Sequence, residues 1–150
     1  MHYLKWFLAL CCVLYINIAS ADAILTDIHG EKFSFSSLKG KWVMINYWAS
    51  WCQPCIDEIQ ELNQFYKANK GNVALYAVNF DALPVENQIE LIEELGIRYP
   101  SLMENPAAQL GLEHVRGVPA TFVFDPNGKL HDTLYGAQTL DNLNKAIKIT

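Results

Sequence analysis

The feature that most constrains this chain is a junction between two periodicities. Lys41–Trp48 (KWVMINYW) is a dense apolar and aromatic run that reads as a buried central strand. It passes through Ala49 and Ser50 directly into Trp51-Cys52-Gln53-Pro54-Cys55. Beyond that point the pattern becomes helical. Cys55, Ile59, Leu62 and Tyr66 are spaced four, three and four residues apart, which places them on one helix face. Pro54 suits the first helical turn, where a missing N–H leaves no bond unmade. A buried strand that becomes a helix within a few residues belongs to an α/β fold, here with two thiols held at the start of the helix.

The remaining elements fit that class. Ile24–Ile28, His29-Gly30 and Phe33–Phe35 read as a short hairpin or extended entry segment, and Val73–Phe80 as a second apolar strand. Pro84–Leu95 reads as an amphipathic helix with Val85, Ile89 and Ile92 inward, ended by Gly96. A strand near Tyr99–Met103 and a helix near Pro106–Leu112 follow. Ala120–Phe124, Pro126-Asn127-Gly128 and Lys129–Tyr135 form a strand–turn–strand hairpin, and Thr139–Ile147 a closing helix with Leu140, Leu143 and Ile147 inward. The order predicts a mixed sheet covered by helices on both faces.

Residues 1–23 carry a different message. Lys5 precedes an apolar run from Trp6 to Ile18, and small residues follow at Ala19, Ser20, Ala21 and Ala23. This is the pattern of a secretory signal peptide occupying residues 1–21, cleaved after Ala21 or Ala23, with residues 22–150 as the working domain. An uncleaved membrane anchor is the alternative. Cleavage removes Cys11 and Cys12 and leaves Cys52 and Cys55, in a compartment that permits disulfides. The composition, 51% hydrophobic and 18% charged, supports a packed core rather than a disordered chain. The net charge of −5 excludes a basic nucleic-acid footprint.

The dithiol carries the chemistry. The first cysteine of the pair falls at the helix N-terminus, where unpaired N–H groups and the helix dipole favour an anion. The thiolate is the attacking species in disulfide exchange. Cys52 is therefore the residue that forms a mixed disulfide, and Cys55, one turn inside, the residue that resolves it. A zinc half-site is disfavoured, because zinc needs three or four ligands and His29, His114 and His131 stand at no ligand spacing from the pair. A loop this short makes a poor structural staple. No cofactor and no metal site are expected, and no peroxidatic cysteine motif is found.

The chain resembles the thioredoxin superfamily. Trp51-Cys52-Gln53-Pro54-Cys55 after an apolar strand, with Val118-Pro119 and a downstream hairpin, carries the likeness. Asn46-Tyr47-Trp48-Ala49-Ser50-Trp51-Cys52, then Cys55-Ile56-Asp57-Glu58, then Gly117-Val118-Pro119-Ala120-Thr121-Phe122, are similar to the exported TlpA-like and ResA-like branch, which includes the CcmG or DsbE reductants. The resemblance spans residues 24–148. It implies a thioredoxin-like three-layer α/β/α sandwich with a mixed central sheet, and an extra helical insert at Asp81–Gly96. It implies that Pro119 follows a cis bond opposite the dithiol, so that the backbone of Val118 faces an extended substrate; spacing alone would leave it trans. Trp51 is implied as an apolar docking surface, with Trp42, Tyr47 and Trp48 in or near the core. Asn46 stands where thioredoxin has a buried acid. Glu58, three residues after Cys55 and about 60° off the apolar stripe, is placed at the rim of the buried face as the replacement proton acceptor. Where relatives carry a proline two residues beyond this glutamate, Gln60 stands here, and the helix is expected to be less kinked.

These features imply a periplasmic thiol–disulfide oxidoreductase acting as a reductant, with cytochrome c maturation as its setting. Its partners would be disulfide-containing exported proteins and a membrane thiol donor of the DsbD or CcdA type, and a monomer is expected. The alternatives are a general oxidant or isomerase, or a copper chaperone in which His114 would join the cysteines.

Overall fold

The structure, a computed structural model, describes residues 22–112 and 114–147, so the signal-peptide reading lies outside the described residues. Five strands form the central sheet: β3 (Trp42–Trp48), β4 (Val73–Asn79), β5 (Ser101–Leu102), β6 (Ala120–Phe124) and β7 (Leu130–Tyr135). β1 (Ile24–Thr26) and β2 (Lys32–Ser34) make a separate antiparallel pair. The helices are α1 (Gln53–Asn69), α2 (Val85–Leu95) and α3 (Leu140–Ala146), with a short 3-10 helix at Phe35–Leu38. The sheet order is β5-β4-β3-β6-β7, with β3 parallel to β4 and antiparallel to β6. This is the mixed sheet that the alternation of strands and helices predicts, in a thioredoxin-like arrangement.

Every residue of β3 is buried, because the strand is central and covered on both faces. Its side chains alternate between two cores. Met44 and Trp48 join Cys55, Ile59, Leu62 and Phe65 of α1 and Leu143 of α3, with Leu91, Ile92 and Leu95 of α2 packed against them. Val43, Ile45 and Tyr47 face the other way, toward Leu25, Phe122, Phe124 and Leu112, with Phe33, Phe35 and Leu38 closing over them. All three α-helices thus pack into one core. The second covering layer is made of the β1–β2 pair, the 3-10 helix and the loop leading to β6.

The helix expected near Pro106–Leu112 does not form. The segment makes a single turn, with the Leu110 N–H donating to Pro106 O (2.9 Å) and the Leu112 N–H reaching back to Ala107 O (2.9 Å). Gly111 adopts a left-handed φ of 63°, which stops propagation. The same device ends α2 where predicted, with Gly96 at φ 71°.

Two inward faces also differ from the expected stripes. On α1 the fully buried residues are Cys55, Glu58, Ile59, Leu62 and Phe65, while Tyr66 is half-buried beside Tyr99 and Lys70. On α2 Gln88 is the buried residue, and of the half-buried apolar side chains Leu91, Ile92 and Leu95 are the ones packed against the core, in place of the expected Val85 and Ile89. Gln88 occupies this edge because its Nε2 donates to Leu83 O (2.7 Å), which ties the helix to the loop before it. α1 runs unbroken past Gln60, as the absence of a proline there predicts.

Candidate active site

β3 delivers the chain to the C-terminal edge of the sheet, and α1 starts there. Cys52 is the N-cap of α1, with extended backbone, and its Sγ accepts a hydrogen bond from the Cys55 N–H at 3.3 Å. An acceptor at this place satisfies one of the helix's unpaired amides, and a thiolate satisfies it better than a thiol. Cys52 and Cys55 are joined as a disulfide. Both are largely buried, at 4% and 1% exposure. The Val118–Pro119 peptide is cis, at the start of β6, next to β3 in the sheet.

Trp51, beside the dithiol, is 68% exposed, whereas Trp42, Tyr47 and Trp48 are buried. Its indole is nevertheless held: Nε1 donates to Asp81 Oδ1 at 2.6 Å, and the Ser50 N–H donates to Asp81 Oδ2 at 3.2 Å. One carboxylate therefore fixes both the approach to the dithiol and its exposed aromatic neighbour. Asp81 follows β4, and the loop carrying it is clamped at Leu83, whose N–H donates to Asn79 Oδ1 and whose carbonyl accepts from Gln88 Nε2. Asp81→Ala should lower the anisotropy of Trp51 fluorescence, while Asp81→Asn, whose amide oxygen still accepts from Nε1, should preserve most of it. Equal anisotropy in Asp81→Ala and the parent would show that the ring is held by something else.

Beneath the dithiol lies a buried polar cluster on the α1 side of the sheet. Glu58 is 2% exposed, deeper than the rim position expected of it. Its Oε1 accepts from Asn46 Nδ2 and its Oε2 from the Gln138 N–H, both at 2.8 Å. Asn46 Nδ2 also donates to Thr121 Oγ1 (3.0 Å), and Asn46 Oδ1 accepts from the Tyr99 hydroxyl (3.2 Å). Burial pushes the Glu58 carboxyl up from 4.5 to about 7, against the two hydrogen bonds that favour its ionised form. Burial, with Glu58 adding a smaller push, holds the Tyr99 phenol well above its usual range. Asp57, by contrast, is exposed and accepts from Gln53 Nε2, and Glu61 accepts from the Leu140 N–H at the start of α3.

Sequence reasoning placed Cys52 at the start of a helix that carries Cys55 and Glu58, and the structure buries all three, Cys52 as the N-cap and the other two on the inner face of α1. It missed Asp81, Tyr99, Thr121 and Gln138. Asp81 carried a usable signal, since residues just past the carboxyl ends of parallel strands line the functional edge of an α/β sheet. Thr121 is register partner to Asn46 across the β3–β6 pair, which the chain order does not disclose. His114 lines an open cavity of about 540 Å³ with Phe80, Asn105, Leu112 and Val115. Neither cysteine is among the residues lining that cavity.

A dithiol at a helix N-terminus, a cis-proline on the adjoining strand and a mixed sheet behind them define a thioredoxin-like thiol–disulfide oxidoreductase. Residues 17–133 match the family model described as AhpC/TSA family, and the chain belongs to that family. It is similar to the thiol-disulfide oxidoreductase ResA of Bacillus thuringiensis (strain Al Hakam), 29% identical over 136 residues that cover 90% of this chain and 78% of that protein. Among solved structures it is similar to a thiol:disulfide interchange protein of the thioredoxin family from Chlorobium tepidum TLS. That match has a TM-score of 0.68 at 28% identity and covers 84% of this chain and 90% of the other. StoA from Bacillus subtilis matches with a TM-score of 0.68 at 25% identity, over 85% of this chain and 96% of that one. No helix among the described residues is long and apolar enough to cross a membrane.

Proposed function

We propose that this enzyme is an exported, periplasmic reductant of protein disulfides, with apocytochromes c among its targets and a membrane thiol donor of the DsbD or CcdA type returning its electrons. The observation that carries this direction is Glu58, buried one helical turn from Cys55 and bonded into the sheet. A strong oxidant of this class stabilises its reduced, thiolate form. A buried carboxylate beside the pair does the reverse, since a second negative charge in the same dry pocket is disfavoured. The disulfide form is then preferred, and the reduced dithiol gives up its electrons.

The steps follow from the site. The Cys52 thiolate attacks one sulfur of the target disulfide, and the other target sulfur leaves as a thiolate. Cys55 passes its proton to Glu58, and its sulfur attacks Cys52 Sγ. The second target thiolate departs, the Cys52–Cys55 disulfide forms, and two electrons have moved to the target. Trp51 and the backbone of Val118, ahead of Pro119, flank the dithiol as the docking surface for the extended target chain. The enzyme works as a monomer, with no cofactor.

Equilibration with glutathione should give a potential near the thioredoxin value of about −270 mV rather than the DsbA value of about −120 mV. A potential above about −150 mV would make the enzyme an oxidant. Docking on Trp51 has its own check. If Asp81→Ala frees the indole, binding must re-immobilise it at a cost of about 0.5–1.5 kcal/mol. KM for a protein disulfide should then rise roughly two- to twelvefold with kcat little changed, and an unchanged KM would take Trp51 out of the docking surface.

A further inference from the structure

The hydrogen bonds around Glu58 all point one way. Asn46 Nδ2 and the Gln138 N–H donate to its two oxygens, and the Tyr99 hydroxyl donates to the far side of the Asn46 amide. That arrangement fits a carboxylate. It does not fit a carboxylic acid, which must donate one bond of its own.

The new proton has one workable place. Oε2 faces a backbone N–H, which cannot accept, so the proton belongs on Oε1, facing Asn46. There it would oppose the Asn46 amino group, donor against donor, in a buried site where an unmade bond costs about 1–3 kcal/mol. Half a turn of the Asn46 amide removes the conflict. Oδ1 then accepts from Glu58 Oε1–H, and Nδ2 swings toward Tyr99. The two groups that would obstruct such a turn, Thr121 Oγ1 and the Tyr99 hydroxyl, are both able to donate or accept. Thr121 changes from acceptor to donor and Tyr99 from donor to acceptor, so Glu58, Asn46, Thr121 and Tyr99 each keep a partner in both states.

We propose that Asn46 is a positioning residue whose side-chain amide flips when Glu58 gains a proton, with Thr121 and Tyr99 reversing their hydrogen bonds in step. The relay lets a buried carboxyl change charge without stranding a polar group. It deepens the reading of Glu58 as the acceptor of the Cys55 proton, by supplying what that acceptor needs in order to be neutral as well as ionised. Among the described residues, Tyr99 from the segment entering β5 is the titratable group coupled to Glu58, and Cys55, one turn before Glu58 on α1, is tied up in the disulfide. β3 and β6 contribute the uncharged Asn46 and Thr121, the turn before α3 contributes Gln138, and Glu61 is engaged at Leu140. Tyr99 stays protonated because burial holds its phenol high.

The test is a pH titration of the isotopically labelled oxidised protein by NMR, with the cysteines locked in the disulfide. The Glu58 carboxyl carbon reports its charge, and contacts of the Asn46 amide protons report its orientation. Above the Glu58 midpoint these protons should lie against the Thr121 methyl group. Below it that contact should be lost and one to the Tyr99 ring should appear, with the same midpoint. In Glu58→Gln, whose amide donates at every pH, the low-pH pattern should persist throughout. Contacts that stay fixed while Glu58 titrates would overturn the relay, as would a high-pH pattern in Glu58→Gln. The companion measurement is the pH profile of Cys55 reactivity in Glu58→Gln. If that profile is unchanged while the amide flips, the relay stands and the proton-acceptor role of Glu58 falls.

Discussion

Cys52→Ser should reduce disulfide exchange with insulin or glutathione disulfide to the rate of a no-enzyme control, whereas Cys55→Ser should accumulate a covalent mixed disulfide with its target. The asymmetry follows from where the helix begins. Cys52 is the N-cap, and its sulfur accepts the Cys55 N–H. A thiolate at that position gains both the bond and the positive end of the helix dipole, which supports the proposal that this sulfur ionises and attacks. A serine hydroxyl caps the helix equally well, and the fold should be retained. It does not ionise near neutral pH, and no exchange can start.

Cys55 is the residue proposed for the second step. It lies one turn inside α1, almost fully covered, where a large target cannot reach it but the adjacent Cys52 sulfur can. Without it the first exchange proceeds and the product has no way forward. Non-reducing electrophoresis of each variant after reaction with a disulfide target separates the two outcomes. A trapped adduct in Cys52→Ser, or continued turnover in Cys55→Ser, would reverse the assigned roles.

The part of this site that could be read from the chain is the part that is local. The apolar run of β3, the dithiol and the 3.6-residue pattern after it lie within about thirty residues, and each signals its own element. The cluster under the dithiol is assembled by pairing instead. Asn46 meets Thr121 because β3 and β6 are in register, and Tyr99 reaches Asn46 from the segment that enters β5 beyond β4. No periodicity within one segment encodes those meetings. Polar residues also misled the pattern in both directions. Glu58 was expected at the rim, yet it is buried with the Gln138 N–H as a backbone partner, and Gln88, which the apolar stripe of α2 does not include, is buried with Leu83 O as its partner. Conversely, Pro106–Leu112 has helical composition, but Gly111 turns the backbone left-handed before a second turn can close.

Glu58→Gln should stabilise the oxidised protein by roughly 3 kcal/mol at pH 8 and by almost nothing at pH 4. Folding carries the carboxyl from water into a dry core, which raises its pKa from 4.5 to about 7. Between those values the folded state binds more protons than the unfolded chain, so stability falls as pH rises through this window and levels off above it. Below about pH 4.5 the group is neutral in both states and costs nothing. Glutamine removes the charge at every pH while its oxygen still accepts the Gln138 N–H. Urea unfolding of both proteins at the two pH values is the measurement. A gain of equal size at both, or a loss at pH 8, would mean that the carboxylate is not the source of the penalty. The same substitution should slow resolution at Cys55 by about a hundredfold or more, the usual scale for removing a positioned proton acceptor, and so lengthen the life of the mixed disulfide. Greater stability with slower resolution would tie the two effects to one cause. The proposed role of Glu58 would account for a buried charge that weakens the fold above neutral pH: its return to the neutral state would draw the proton from the resolving thiol.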